Sequence, residues 1–277
     1  MLNQASNLIN LENVVLIGSG KGGVGKTLIT VNLAIVLKQL GYKVLIFDLD
    51  VGFTNSDVLL NVHPQYSIND LLLNKCERED VICSTEYGVD LVSVGSDIES
   101  IFNFNPENIK NFYIKFAQIA KDYDFTLIDL PPGYNNNYAP FFNSASHTIT
   151  ITTTHPTSLV NSYTFVKILI HKGVSSSNIH LVGNNVENYN ESLENLKRFS
   201  SVLEKFTGEK MGSLTIIKRH NLVEKSVFNR KPFVIDHPKI QPTFALYRIA
   251  SILTKKDILY KENILDKILS FFRSDQE

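Results

Sequence analysis

Seven short apolar runs recur along the chain, at residues 14–17, 44–47, 91–94, 125–128, 148–151, 179–182 and 214–217. Each is too short for a helix, and most lack the apolar–polar alternation of a strand with one wet face. That is the pattern of strands buried on both sides in a parallel sheet. Stretches of helical period separate many of them, at 27–40, 106–121, 158–171 and 191–206. Strands alternating with helices predict an α/β fold: a doubly wound, mostly parallel sheet with helices on both faces. No internal repeat and no Gly/Ser- or Pro-rich linker interrupts the pattern, so the periodic region reads as one domain over 13–258. Segments 1–12 and 259–277 are appended to it.

The decisive polar segment is Gly18-Ser19-Gly20-Lys21-Gly22-Gly23-Val24-Gly25-Lys26-Thr27. It follows the first predicted strand and opens the first predicted helix, the context a G-x-x-x-x-G-K-[ST] loop requires. Its glycines let successive backbone N–H groups turn inward around phosphate oxygens, and the helix adds the positive end of its dipole. The loop from Gly20 through Gly22, Gly23, Val24 and Gly25 to Lys26 and Thr27 therefore predicts a nucleotide cradle. Lys26 would reach the phosphates and the Thr27 hydroxyl would ligate Mg2+.

Carboxylates follow at predicted strand ends, where ligands bind in such sheets. Asp48 and Asp50 close the second strand, and Asp129 ends the run 125–128 before Leu130-Pro131-Pro132-Gly133. Asp48 and Asp129 are candidates for the Mg2+ shell.

Lys21 makes the loop K-G-G-V-G-K-T, which resembles the deviant Walker A motif of the MinD/ParA family of P-loop ATPases. Asp48–Asn55 matches the family's D-x-D-x-G-x-x-N. The resemblance implies ATP and Mg2+ as ligands, and a homodimer closed over two nucleotides with Lys21 reaching the partner's phosphates. Catalysis then falls to Lys21, Lys26 and Asp50, with Asp50 orienting the attacking water and Asn55 near the dimer interface. Gly133 brings a backbone N–H to the γ-phosphate, and Asn184 recognises adenine. Within the family, Asn3-Gln4-Ala5 and the run 153–163 resemble the FlhG (YlxH/FleN) branch of flagellar regulators. That branch implies a partner, an FlhF-like GTPase, engaged by the N-terminal segment through Gln4, and flagellar switch proteins as further partners. His155, Asn161 and Lys218 depart from the branch pattern and bear on turnover more than on binding.

Over 262–273, Ile264, Leu265, Ile268, Leu269, Phe271 and Phe272 fall on one arc at 100° per residue, with Asp266, Lys267, Ser270 and Arg273 opposite. This amphipathic helix would lie on a membrane surface, as it does in MinD and FlhG, or pack on the domain's own core.

Composition narrows the rest. The 277 residues carry 27 Lys+Arg against 28 Asp+Glu, a net charge of −1 that argues against nucleic acid as a partner. No apolar stretch reaches the roughly 18 residues needed to cross a bilayer. The N-terminus lacks a secretory pattern, and Cys76 and Cys83 are not spaced as C-x-x-C, so a reducing, cytoplasmic compartment follows. The expected protein is a MinD-type switch ATPase governing flagellar number or placement, cytoplasmic and conditionally peripheral at the membrane. The alternatives are a nucleotide-binding scaffold with little hydrolysis and a ParA-type ATPase tracking on DNA.

Overall fold

The computed structural model describes residues 14–50, 55–95 and 106–256. Its strands are β1 (Val14–Gly18), β2 (Val44–Asp48), β3 (Cys83–Ser84), β4 (Asp90–Ser93), β5 (Phe125–Asp129), β6 (His147–Thr152), β7 (Ile179–Val186) and β8 (Ser213–Lys218). They form one sheet in the order β3-β4-β2-β5-β1-β6-β7-β8. All seven predicted strands are present and pair in parallel. The addition is β3, a two-residue antiparallel edge strand on β4. Its brevity left no periodic signal, and it covers an edge that would otherwise present unpaired backbone.

The helices are α1 (Lys26–Gln39), α2 (Asn55–Leu60), α3 (Ile68–Leu72), α4 (Pro106–Ala120), α5 (Ala139–Ser144), α6 (Pro156–His171), α7 (Tyr189–Thr207), α8 (Asn221–Phe228), α9 (Phe233–Asp236) and α10 (Gln241–Thr254). The four predicted helices are α1, α4, α6 and α7, each within a few residues of its expected ends. Local chemistry sets those ends. Asn188 caps α7 by accepting from the Glu191 amide at 3.3 Å, and Gly208 stops it in the left-handed region at φ 76°.

Strand alternation divides the core in two. Val14 and Leu16 of β1 face a layer built by Phe112 and Phe116 of α4, Phe141 of α5, Phe165 of α6 and Leu196 of α7. Val15 and Ile17 face the other layer, which contains most of α1, Phe233 of α9 and Leu246 and Ile249 of α10. Helix α1 is buried on nearly every side, which is why it lacks a polar stripe. No helix among the described residues is long and apolar enough to cross a membrane. The predicted segments 1–12 and 259–277 lie outside the described residues, as does the end of the predicted domain beyond residue 256.

At the opposite end of the sheet from the phosphate loop, three strands are joined through their side chains. His147 Nδ1 lies 2.9 Å from His180 Nε2, and His180 Nδ1 lies 2.9 Å from Ser213 Oγ. Burial pushes His180 down to about 4, aided by His147. Burial also lowers His147, with the Lys255 ammonium adding to the effect. An imidazole held below its ordinary 6.5 binds protons less readily folded than unfolded. Its contribution to stability is therefore complete above about pH 6.5 and is lost as pH falls toward 4. His180→Gln should flatten the fall in melting temperature across that window, by the equivalent of about 3 kcal/mol. An unchanged slope in thermal melts from pH 7 to 4 would assign the acid sensitivity elsewhere.

Candidate functional site

The parallel register brings the site together. Asp48 of β2 pairs in register with Asp129 of β5, and Ile17 of β1 pairs with Asp129 on its other side. Asp48 shares its face with Val44 and Ile46, and Asp129 shares its face with Leu127. All these apolar residues belong to the core layer of α1. The first turn of α1 therefore meets both carboxylates. Thr27 Oγ1 donates to Asp129 Oδ2 at 2.5 Å, and Lys26 Nζ, only 5% exposed, pairs with Asp50 Oδ2 at 3.3 Å. The Asp50 amide donates to Asp48 Oδ1 at 3.0 Å.

Two oxygens in this cluster, Asp48 Oδ2 and Asp129 Oδ1, are buried without a hydrogen-bond partner among the described residues. Burial pushes Asp129 up to about 8; the adjacent Asp48 charge adds to the rise, while Lys26 and Thr27 oppose it. Burial likewise pushes Asp48 up to about 6, against the pull of the Ser56 hydroxyl and the Asp50 amide. Buried, unpaired carboxylate oxygens beside a threonine hydroxyl are the donor set a hard divalent cation takes. The residues fit Mg2+, which Thr27, Asp48 and Asp129 would hold. They do not by themselves form a larger metal cluster, and no group of three or more His, Cys, Asp or Glu among the described residues could hold an ion.

The loop is fixed by close packing. A Cβ on Gly20 would lie 2.3 Å from the carbonyl of Asn161 in α6, so only glycine lets the loop rest on that helix. Gly25 has φ 93°, and a Cβ there would lie 2.4 Å from Asn184 Nδ2. Gly23 also has positive φ, while Gly22 faces Pro132 of the loop after β5. Val24 is buried, and its carbonyl accepts from Asn184 Nδ2 at 2.8 Å. Asn184 lies within β7, two residues before its end. It borders a cleft of about 340 Å³, lined also by Leu28, Lys218, Val223, Val227 and Phe233.

Two expected residues point elsewhere. Lys21 is exposed, and its Nζ donates to Thr157 Oγ1 of α6 at 3.3 Å. The His155 ring approaches the same hydroxyl at 3.1 Å. The Gly133 amide, expected to serve a phosphate, donates to the Ser19 carbonyl at 2.7 Å and must leave it to do so. Asn55 is the first residue of α2. Gln4 and the apolar arc from Ile264 to Phe272 lie outside the described residues.

Sequence reasoning missed three supports. Ser19 ties the loop internally, its hydroxyl donating to the Lys21 carbonyl at 2.8 Å. Ser56 is fully buried beside Asp48. Gln241 links α10 to β8, donating to the Ile216 carbonyl and accepting from the Lys218 amide. Position relative to the Asp48 motif could have flagged Ser56. Nothing in the sequence pattern marks Gln241.

A family profile described as ParA, NUBPL iron-transfer P-loop NTPase matches residues 10–251. The chain belongs to this ParA family. It is a P-loop ATPase of the MinD/ParA type. It is 26% identical to the antiactivator FleN of Pseudomonas aeruginosa over 86% of this chain and 84% of FleN. It is 26% identical to the flagellum site-determining protein YlxH of Helicobacter pylori over 92% of each chain. The septum site-determining protein MinD of Pyrococcus horikoshii, solved with Mg-ADP, has the same fold. Its TM-score is 0.68 at 23% identity, covering 91% of this chain and 98% of MinD. Iron transfer, in the family description, is not carried over to this member. Its two cysteines, Cys76 and Cys83, are half-buried and seven positions apart, so the sequence holds no C-x-x-C pair.

A carboxyl held above its ordinary value binds protons more readily folded than unfolded. Its cost to folding is absent below about pH 4 and complete above about pH 8 for Asp129. Asp129→Asn should therefore raise the melting temperature of the nucleotide-free chain at pH 8.5, by the equivalent of about 1–3 kcal/mol. The same variant should lose the Mg2+-dependent part of its stabilisation by ADP. Thermal melts with and without Mg2+ decide both, and full retention of the Mg2+ effect would remove Asp129 from the ion's shell.

Proposed function

We propose that this ATPase is a dimerising switch of the MinD type that regulates flagellar number or placement at the cytoplasmic membrane. The observation that carries the reading is the cluster of Lys26, Thr27, Asp48, Asp50 and Asp129 at the mouth of the phosphate loop, with Lys21 exposed beside it. The flagellar assignment is supported by similarity to FleN and YlxH across most of the chain.

The loop amides from Gly20 to Thr27 bind the phosphates, and Lys26 exchanges Asp50 for them. Asp50, freed of its ammonium partner, orients the attacking water. Thr27, Asp48 and Asp129 hold Mg2+, which supplies neutralising charge when bound. Gly133 and Asn55 complete the nucleotide side of the interface. Asn184 selects the base by a simple exclusion. The Val24 carbonyl can only accept, so it fixes the Asn184 amide with Nδ2 inward and leaves Oδ1 to accept from an exocyclic amine, as adenine provides.

Lys21 leaves Thr157 and reaches the phosphates of a second copy, offsetting charge that develops in transfer. The N-terminal segment, through Gln4, engages an FlhF-like GTPase, and flagellar switch proteins are further partners. Ile264, Leu265, Ile268, Leu269, Phe271 and Phe272 hold the dimer on the membrane. One such helix binds weakly, and two bound together bind by avidity.

Lys21→Ala should abolish ATP-dependent dimerisation in sedimentation while retaining monomer nucleotide binding, and lower turnover at least about 100-fold. Normal dimerisation of the variant would end the cross-subunit role. Single-turnover hydrolysis of the intact chain, with vesicles and a FlhF-like GTPase added in turn, tests the switch itself. Intact ATP binding without turnover under every condition would instead make the chain a nucleotide-binding scaffold.

A further inference from the structure

The corner where α8 turns into α9 presents an unusual surface. Phe228, the last residue of α8, is 88% exposed, the highest of any large apolar side chain among the described residues. Val227, next to it in sequence, and Ile235 of α9 are also exposed. The corner is built rather than loose. The amides of Asn229, Arg230 and Lys231 donate to the carbonyls of Lys225, Val227 and Ser226, and Arg230 takes a left-handed φ of 53°. Behind it, Phe233 and Val234 are buried, and the Val234 amide donates to Asn32 Oδ1 of α1 at 3.1 Å.

Charge is concentrated on the same corner. Residues 218–231 contain five Lys or Arg against one acidic residue, in a chain whose net charge is −1. The single acid, Glu224, is paired with Arg219 at 3.2 Å. Lys225, Arg230 and Lys231 are exposed and make no salt bridge among the described residues. A fixed, protruding aromatic ring flanked by unpaired cations is matched by a soft anionic surface. Such a surface takes the ring without a complementary pocket and meets the cations with phosphate.

We propose that the α8–α9 corner is a second membrane contact, with Phe228 entering the headgroup region of an anionic bilayer and Lys225, Arg230 and Lys231 facing lipid phosphates. The inference rests on the membrane reading above and adds a contact that the C-terminal segment does not supply. Because Val223 and Val227 of α8 also line the nucleotide cleft, this contact touches the element that borders the nucleotide. Lipid binding and nucleotide affinity should then be coupled in both directions.

The test is flotation of the full chain, loaded with ATP and Mg2+, on vesicles of neutral phosphatidylcholine with or without about 30% phosphatidylglycerol. Phe228→Ser, and separately Lys225→Gln with Arg230→Gln, should each lower binding to the anionic vesicles about tenfold, with melting temperature and basal ATP turnover unchanged. Phe206→Ser, an equally simple loss of an exposed ring on α7 (67% exposed), should change nothing. If the wild-type chain binds neither vesicle, the membrane reading and this inference both fall. If Phe271→Glu with Phe272→Glu abolishes binding while both corner variants bind as wild type, only the corner contact falls. If the corner variants lose a salt-sensitive shift of duplex DNA but keep vesicle binding, the corner serves nucleic acid and the lipid assignment is overturned.

Discussion

Two carboxylates buried side by side, Asp48 and Asp129, set the terms for everything around them. Neighbouring negative charges in a low-dielectric site repel, and desolvation adds to the cost. The fold supplies only partial relief through Thr27, Lys26 and the Asp50 amide. Among the described residues, Asp48 Oδ2 and Asp129 Oδ1 have no hydrogen-bond partner. A site left in that condition is stabilised most by a ligand that meets those oxygens, so a divalent cation such as Mg2+ would gain affinity at the expense of the ligand-free state. Lys26 shows the same logic. Its charge is matched by Asp50, and on the proposed mechanism phosphate would displace that carboxylate and free it to orient the attacking water.

Sheet topology makes that cluster possible. With β1 between β5 and β6, and β5 between β1 and β2, the C-terminal ends of three consecutive neighbours open onto one place. Register then decides the chemistry. A shift of one residue in β2–β5 pairing would turn Asp48 away from Asp129. The loop between these strands and α1 is held by Gly20 against α6. Movement of the loop and movement of α6 are therefore linked. Lys21 on Thr157 ties the loop to α6 a second time, and Gly133 on Ser19 attaches it to the segment after β5. Phosphate binding that draws on Lys21 and Gly133 must break both attachments, which gives the loop a direct mechanical connection to the surfaces that a second copy would meet.

Much of this was legible in the chain. The buried strands announced themselves because parallel strands carry apolar residues on both faces. The loop was legible because phosphate chemistry demands glycines and a lysine at fixed spacing. The strand-end carboxylates followed once the loop was placed. What escaped was set by contacts distant in sequence. The histidine pair spans His147 and His180, residues that look like ordinary strand positions until the sheet aligns them. Gln241 stands in for a backbone partner of β8, its amide donating to one main-chain group and accepting from another as a peptide unit would. The edge strand β3 is too short to have a period. Asn161, conspicuous as a departure in side chain, matters in the structure through its backbone, against which Gly20 rests.

The placement of α10 bears on how nucleotide state could reach the C-terminal segment. The helix starts at Gln241, bonded to the end of β8 beside the nucleotide cleft, and packs along α1. It ends near Lys255, whose charge is felt by His147 at the start of β6, and Lys256, whose ammonium lies over Tyr42 just before β2. Fourteen residues of helix span about 21 Å, so the root of the segment is separated from the phosphates by nearly the depth of the sheet. Helices α1 and α10 share one tightly packed apolar layer, and close-packed layers resist continuous deformation. An internal wire from the phosphates to the segment would have to cross that layer. On the dimer reading proposed above no such wire is needed, because two chains closed over nucleotide would bring two segments together. The same geometry gives the α8 corner a separate task. It lies at the phosphate-loop end of the sheet, where α8 lines the cleft beside Asn184.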